Sequence, residues 1–285
     1  MTLALAAAWL VPGASLLNQK ALAQDATKQA PAETQKPKET PIPKNTKDLT
    51  AEQVAELVIY ASGLSRERIA QIQRSGIERG RITRLNAEGR NEELTYERRF
   101  MRGETSEKDK IRLDQKMPTM EYSLVYSDGR VWGIINGTTF TPRQEAVADF
   151  LSGRQHSIAT LLRYKEDGAT LSFVGKEKQK NIDMWVLDVL DKEKRRTRFY
   201  VSTQKWRVLW LEYEETPPGA LKPVQFRRTF HDYRYAQGQL YPYRSVLYAD
   251  GKQTEETSVN IVTFGLKLDD SVFQSAEAAS TSGGL

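Results

Sequence analysis

The sequence predicts a mainly β fold of the α+β class, with about ten or eleven antiparallel strands. Three observations carry this. The stretch 224–273 reads as three extended runs joined by Ala236-Gln237-Gly238 and Asp250-Gly251. Such dipeptides between β-rich runs are strong hairpin signals, because the turn positions need φ > 0. Further upstream, Met120, Tyr122, Leu124 and Tyr126 alternate strictly with other residues, and Asp128-Gly129 and Asn136-Gly137 follow as turns. Finally, no alternation of strands with crossover helices appears, and neither G-x-G-x-x-G nor a P-loop is present. Hairpin follows hairpin, so the sheet should be antiparallel and ordered along the chain.

The chain opens on Leu3–Val11, which is almost continuously apolar, and Ala21-Leu22-Ala23 is a small-x-small site before Gln24. Residues 1–23 therefore read as a secretory signal peptide, although no Lys or Arg precedes the apolar run. The run is too short for a stable transmembrane anchor. The next stretch, 24–48, holds Pro31, Pro37, Pro41 and Pro43 and almost no large apolar residues. It cannot bury enough surface to offset its ordering entropy and is expected to be a disordered linker.

A folded domain is expected over 49–273. Thr50-Ala51-Glu52-Gln53 is a capping box, and Val54, Leu57, Val58 and Ala61 follow at helical spacing up to a break at Gly63. A second short helix is expected over Ser65–Gln73. From Gly76 the period becomes two. Ile77–Leu85, Leu94–Met101, Lys110–Gln115, the Tyr122 alternation and Val131–Ile135 read as strands. Thr141-Pro142-Arg143-Gln144 then combines an N-cap Thr with Pro at the first helical position, and Gly153 should split the inserted helical segment. Strands resume at Thr170–Val174, Ile182–Leu190, Arg196–Val201 and Trp206–Tyr213. The Ser/Ala/Gly tail, 274–285, is expected to be disordered.

Composition limits the chemistry. The chain has 285 residues, a net charge of +5 and no cysteine. Disulfides, thiolate metal sites, cysteine nucleophiles and an N-terminal lipid-modified cysteine are excluded. Export, if the leader acts as read, argues against nucleic acid as a partner. The histidines are His156 and His231. His231-Asp232 lacks a nucleophile motif, Glu212, Glu214 and Glu215 read as a solvated face, and no metal-ligand spacing is present. No catalytic residue, metal or cofactor is therefore expected, and the protein is not read as an enzyme. Arg79, Arg81 and Arg84 face a partner run with Arg98, Arg99 and Arg102. This hairpin can make transient contact with an anionic membrane surface. Cross-strand Arg–Glu pairs on a solvated convex face explain the same residues and are preferred.

Two stretches carry a family resemblance. In Ala51–Thr83, a helix, the break Ala61-Ser62-Gly63, a short helix with Ile69 and Ile72, and a Gly76-led strand follow one another. Phe230-His231-Asp232-Tyr233 then runs through Gly238, Leu240-Tyr241-Pro242 and Asp250-Gly251 to Leu268-Asp269-Asp270-Ser271-Val272-Phe273. Over nearly all of Thr50–Phe273 the chain resembles the LolA/LolB-like superfamily of periplasmic carriers, which includes outer membrane lipoprotein-sorting proteins. The resemblance implies a strongly curved, open half-barrel covered by helices. It also implies a periplasmic chaperone that carries the acyl chains of a lipoprotein or lipid in an apolar cavity. An inner-membrane donor and an outer-membrane acceptor would be its partners. A sensor or protein-interaction module of the envelope on the same fold is the alternative. The candidate cavity residues are Tyr122, Leu124, Trp132, Ile134, Phe150, Leu151, Ile182, Met184, Val186, Trp206, Val208 and Trp210. The rows Ile182–Met184–Val186 and Trp206–Val208–Trp210 fit either a cavity wall or an ordinary sheet core.

Overall fold

The computed structural model describes residues 49–85, 89–117 and 120–274, all within the unit Thr46–Leu285. The expected signal peptide, linker and nearly all of the tail lie outside the described residues.

Helix α1 (Ala51–Gly63) starts where its capping box predicts: the Gln53 amide donates to Thr50 Oγ1 at 3.3 Å, and the Thr50 amide to Gln53 Oε1 at 2.8 Å. Gly63 ends the helix for a reason other than its turn-forming freedom. The left-handed residue is Leu64, at φ 77°. A Cβ on Gly63 would sit 2.8 Å from Ile69 Cγ1, so the glycine lets α2 (Arg66–Ile72) fold back tightly.

Six strands follow, each antiparallel to the one before: β1 (Ser75–Leu85), β2 (Asn91–Met101), β3 (Lys110–Lys116), β4 (Glu121–Ser127), β5 (Arg130–Ile135) and β6 (Thr138–Phe140). After helices α3 (Gln144–Gln155) and α4 (Ile158–Leu162) come β7 (Thr170–Gln179), β8 (Ile182–Leu190), β9 (Arg196–Ser202), β10 (Val208–Glu215), β11 (Val224–Ala236), β12 (Gln239–Ala249) and β13 (Lys252–Phe264). Strand β13 returns to pair with β1, so the order is β6-β5-β4-β3-β2-β1-β13-β12-β11-β10-β9-β8-β7. The sheet is antiparallel and curved but not closed, as a half-barrel requires. Among the described residues it has thirteen strands. Twelve of them match runs read from the sequence, more than the ten or eleven expected in all; the thirteenth, β6, has three residues and shows no alternation. The helical segment is the link between the two open edges, β6 and β7.

Two local expectations are corrected here. Thr141 and Pro142 do not open α3. Thr141 precedes a proline, which disfavours helical backbone there, and Arg143 takes the cap position without a side-chain bond. Gly153 does not split the segment either: α3 runs through it. The break falls at His156–Ser157, where Ser157 caps α4.

The two halves of the sheet are filled differently. On the β7–β11 side, Trp185, Leu187, Phe199, Val201 and Leu211 pack against Val54, Val58 and Ile59 of α1 and Leu161 of α4 in one continuous core. On the β1–β5 side, the inner face is not filled by a helix in this way and lines a hollow under α3. A turn of 3-10 helix, Asp270–Phe273, lies outside β3 and β4, where Arg112 donates to the Val272 carbonyl.

The seam between the halves is tight. A bulge between Arg79 and Gly80 interrupts the β1–β13 ladder, and a Cβ on Gly80 would meet the Ser258 carbonyl oxygen at 2.2 Å. Gly80→Ala should therefore cost about 1–3 kcal/mol through overpacking. Thermal unfolding followed by circular dichroism checks this, and an unchanged midpoint would show that the seam yields.

Candidate functional site

The hollow has a volume of about 2110 Å³. Its floor is built by period-two alternation: Ile82, Tyr96, Phe100, Ile111, Leu113 and Leu124 come inward from β1–β4, and Phe150 and Leu151 face it from α3. Helix α3 has no fully buried residue. Its apolar side rests on the hollow rather than on a packed core.

Of the twelve candidate cavity residues, Tyr122, Leu124, Phe150, Leu151 and Val208 line this hollow. The other seven do not. Trp132 and Ile134 pair with Val125 and Ser123, which alternate with the inward Leu124, so both face outward. Met184 and Val186 are buried on the side of β8 away from α1, beside Tyr200 and Trp210, and Ile182 continues their row. The helix-facing row of β8 is Trp185, Leu187 and Val189. Trp206 lies in the turn before β10, at φ 52°, with its ring 6.3 Å from that of Tyr60 on α1. Trp210 does not share a face with Val208. A bulge between them shifts the register, and Trp210 stacks on Tyr200 at 4.6 Å.

The arginine-rich hairpin divides between two faces. Arg79, Arg81 and Arg99 point outward and pair with Glu97, Glu93 and Asp114, as cross-strand ion pairs on a solvated face should. Arg84, Arg98 and Arg102 instead line the hollow, which corrects the expectation that the whole hairpin is convex surface. Arg84 Nε lies 3.3 Å from Glu92. Arg98 Nη2 donates to Glu78 Oε2 at 3.0 Å and to the Tyr241 hydroxyl at 3.1 Å. Glu78 also accepts from the Tyr96 hydroxyl at 2.7 Å and from that of Tyr241. Burial, and then Glu78, push both tyrosine hydroxyls far above their ordinary range.

This cluster sits where the sheet splays. Strands β12 and β13 pair only over Arg244–Ala249 and Lys252–Ser258. Pro242 lies within β12 beyond that pairing, so its missing N–H breaks no bond to β13.

The crossing segment is bolted to both rims at its C-terminal half. On the β9–β10 side, His156 is 1% exposed. Its Nδ1 lies 2.7 Å from Thr197 Oγ1 and its Nε2 3.0 Å from Glu215 Oε1. Its ring stacks on Tyr213 at 3.8 Å. Burial alone would raise the Glu215 carboxyl, but hydrogen bonds from His156 and Ser152 outweigh burial and hold it below its ordinary range. On the β2–β3 side, Arg163 Nη1 reaches both oxygens of Asp109 at 3.0 and 2.8 Å. Arg102 there pairs with Glu166 at 2.5 Å, and Arg154 lies over the Tyr126 ring at 4.3 Å. Among the described residues no comparable tie holds 144–151, which puts the natural hinge near Ser152–His156. Sequence reasoning missed this latch, because the His156 partners lie 41 and 59 residues away.

His231 does not assemble a catalytic pair: its Nε2 is 2.9 Å from Thr229 Oγ1, and Asp232 is held by Arg234. Among the described residues, no group of three or more acidic or histidine side chains is placed to hold a metal ion, and no helix is long and apolar enough to cross a membrane.

An open antiparallel half-barrel, packed on one side and hollow on the other beneath a crossing helix, defines a fold with an internal concavity. No protein-family model matches the sequence, and no curated protein matches it significantly. Solved structures do share its fold. A LolA superfamily protein from Nitrosomonas europaea superposes with a TM-score of 0.55 at 11% identity, covering 80% of this chain and 98% of its own. A DUF1329 family protein from Desulfovibrio piger gives a TM-score of 0.57 at 11% identity, with coverage of 80% and 98%. A putative outer membrane lipoprotein-sorting protein domain from Vibrio parahaemolyticus gives 0.53 at 13% identity, with coverage of 79% and 97%. The chain has the LolA-like fold.

Proposed function

We propose that this protein is an exported, periplasmic carrier that holds the acyl chains of a lipoprotein or lipid in the hollow under α3 and moves them towards the outer membrane. The hollow is the observation that carries the reading. At about 2110 Å³ it exceeds the roughly 300–1,000 Å³ of pockets for ordinary small molecules. Its floor is mostly aliphatic and aromatic, and its cover is tied down at one end only. Cargo enters past the free half of α3, loses water against the floor, and leaves to an acceptor when the cover lifts. Binding without chemistry needs no more than this. The signal-like leader supports export, and the lipoprotein-sorting domain that shares the fold supports acylated cargo, with a donor at the inner membrane and an acceptor at the outer membrane as partners.

Two measurements test it. Organic extraction of protein purified from its own periplasm should yield acyl lipid, and a fluorescent fatty-acyl probe should bind the emptied protein. Extracts without lipid, together with no probe binding, would refute the carrier. Phe150→Asp should weaken probe binding about ten-fold or more, since a buried aromatic contact is worth roughly 1.5–3 kcal/mol. The fold should tolerate this change, because α3 has no fully buried residue.

A further inference from the structure

Resting on the reading of the hollow as an acyl-binding cavity, we propose that Arg98 anchors the polar end of the cargo. Its guanidinium binds an oxyanion attached to an acyl chain, a carboxylate or a phosphate, on the cavity floor. The hydrogen-bond inventory of the cluster points to this. Glu78 accepts from three donors, the Tyr96 hydroxyl, Arg98 Nη2 and the Tyr241 hydroxyl. Its side chain is only 8% exposed. Arg98 uses Nη2 for both of its bonds; its Nε is buried without a partner among the described residues, which leaves Nη1 uncommitted. Its side chain remains 36% exposed and lines the hollow. The carboxylate is enclosed, while the cation still has donors to offer. The unspent capacity is positive and donor-only, so the complementary ligand is an acceptor that carries negative charge.

The setting strengthens the case. Arg98 lies over the Phe100 ring at 5.4 Å, and Phe264 meets both Phe100 and Tyr241 edge-on. Beside apolar rings a charge-assisted bond is stronger than in open water. Stability does not call for a charged pair at this place, since burying one costs about as much as it returns and apolar residues would serve as well. Holding the splayed strands together accounts for Nη2 and Tyr241 but leaves the rest of the guanidinium unexplained. With both Nη2 hydrogens spent on Glu78 and Tyr241, the guanidinium plane is fixed from behind and Nη1 is the donor left to meet the ligand oxygen.

Displacement of the acyl probe by laurate, dodecyl phosphate, dodecanol and dodecyltrimethylammonium tests this, with acetate and inorganic phosphate as headgroups lacking a chain. The two oxyanion amphiphiles should bind about ten-fold or more tightly than dodecanol. Arg98→Met should remove that preference, bringing laurate and dodecyl phosphate to the affinity of dodecanol. If the lone Glu78 carboxylate prevents that variant from folding, the Glu78→Gln/Arg98→Met double variant, which leaves no orphan charge, should give the same result. Equal affinity for all four amphiphiles would overturn the proposal, as would a preference that survives in the double variant. Acetate or phosphate binding as tightly as the amphiphiles would overturn it in favour of a free-anion site. Failure of every amphiphile, dodecanol included, would overturn the carrier reading itself.

Discussion

Arg163→Met is expected to destabilise the fold by about 3–5 kcal/mol, the usual cost of removing one partner of a buried ion pair. For a chain of this size that lowers the thermal midpoint by about 6–20 °C. Arg163 is 5% exposed, and all three of its nitrogens are engaged: Nη1 with Asp109, Nη2 with the Gly103 carbonyl at 3.1 Å and Nε with Glu166 at 3.2 Å. Burial already pushes the Asp109 carboxyl above its ordinary range, against the opposing pull of Arg163 and the Gly103 amide. Without the arginine, Asp109 keeps its burial and loses its counter-charge, so it must take up a proton or leave the interior. Pairing the change with Asp109→Asn should restore part of the loss, because a neutral amide is cheaper to bury than an orphan carboxylate. A double variant no more stable than the single one would show that the loss comes from packing of the Arg163 stem. The effect reaches the hollow as well, since Arg163 ties α4 to the rim that holds Arg102 and Asp109.

The features legible in the sequence are those written within a few residues of one another. Asp128-Gly129, Asn136-Gly137, Gln237-Gly238 and Asp250-Gly251 all take paired positive φ values, as two-residue hairpin turns demand. The Thr50 capping box is equally local. Lys180-Asn181 makes the same kind of turn, with φ of 47° and 62°, but lacks the glycine that would have announced it. The inward face was harder to read. Strand β8 is apolar on both sides, so alternation alone does not say whether Met184 or Trp185 meets the helices. Along β10 the bulge beyond Val208 reverses the parity of Trp210. On β1 and β2, charge is normally a sign of the solvated face. Arg98 and Glu78 break that rule by satisfying each other across the ladder, where they are direct register partners. The latch around His156 joins three elements distant in sequence, and no local pattern marks it.

His156→Ala should release the other rim. The substitution removes a ring stacked on Tyr213 and leaves Thr197, which is 2% exposed, without its nitrogen partner. The stacking and the orphaned polar groups together predict a loss of about 2–4 kcal/mol. Because the latch lies at the hinge, amide hydrogen exchange in 153–163 should quicken more than exchange in the β8–β9 core. Acid should act in the same direction. The Glu215 carboxyl is held below its ordinary value of 4.5 in the folded protein. Its contribution to stability is therefore complete above about 4.5 and disappears as the pH falls through the lowered folded value. Exchange in 153–163 of the wild-type protein should accelerate over that acid window. In the His156→Ala protein the acceleration should shrink, since Ser152 still donates to Glu215 but the imidazole does not. An acid dependence of equal size in both proteins would assign the effect to other carboxylates and leave His156 a packing role.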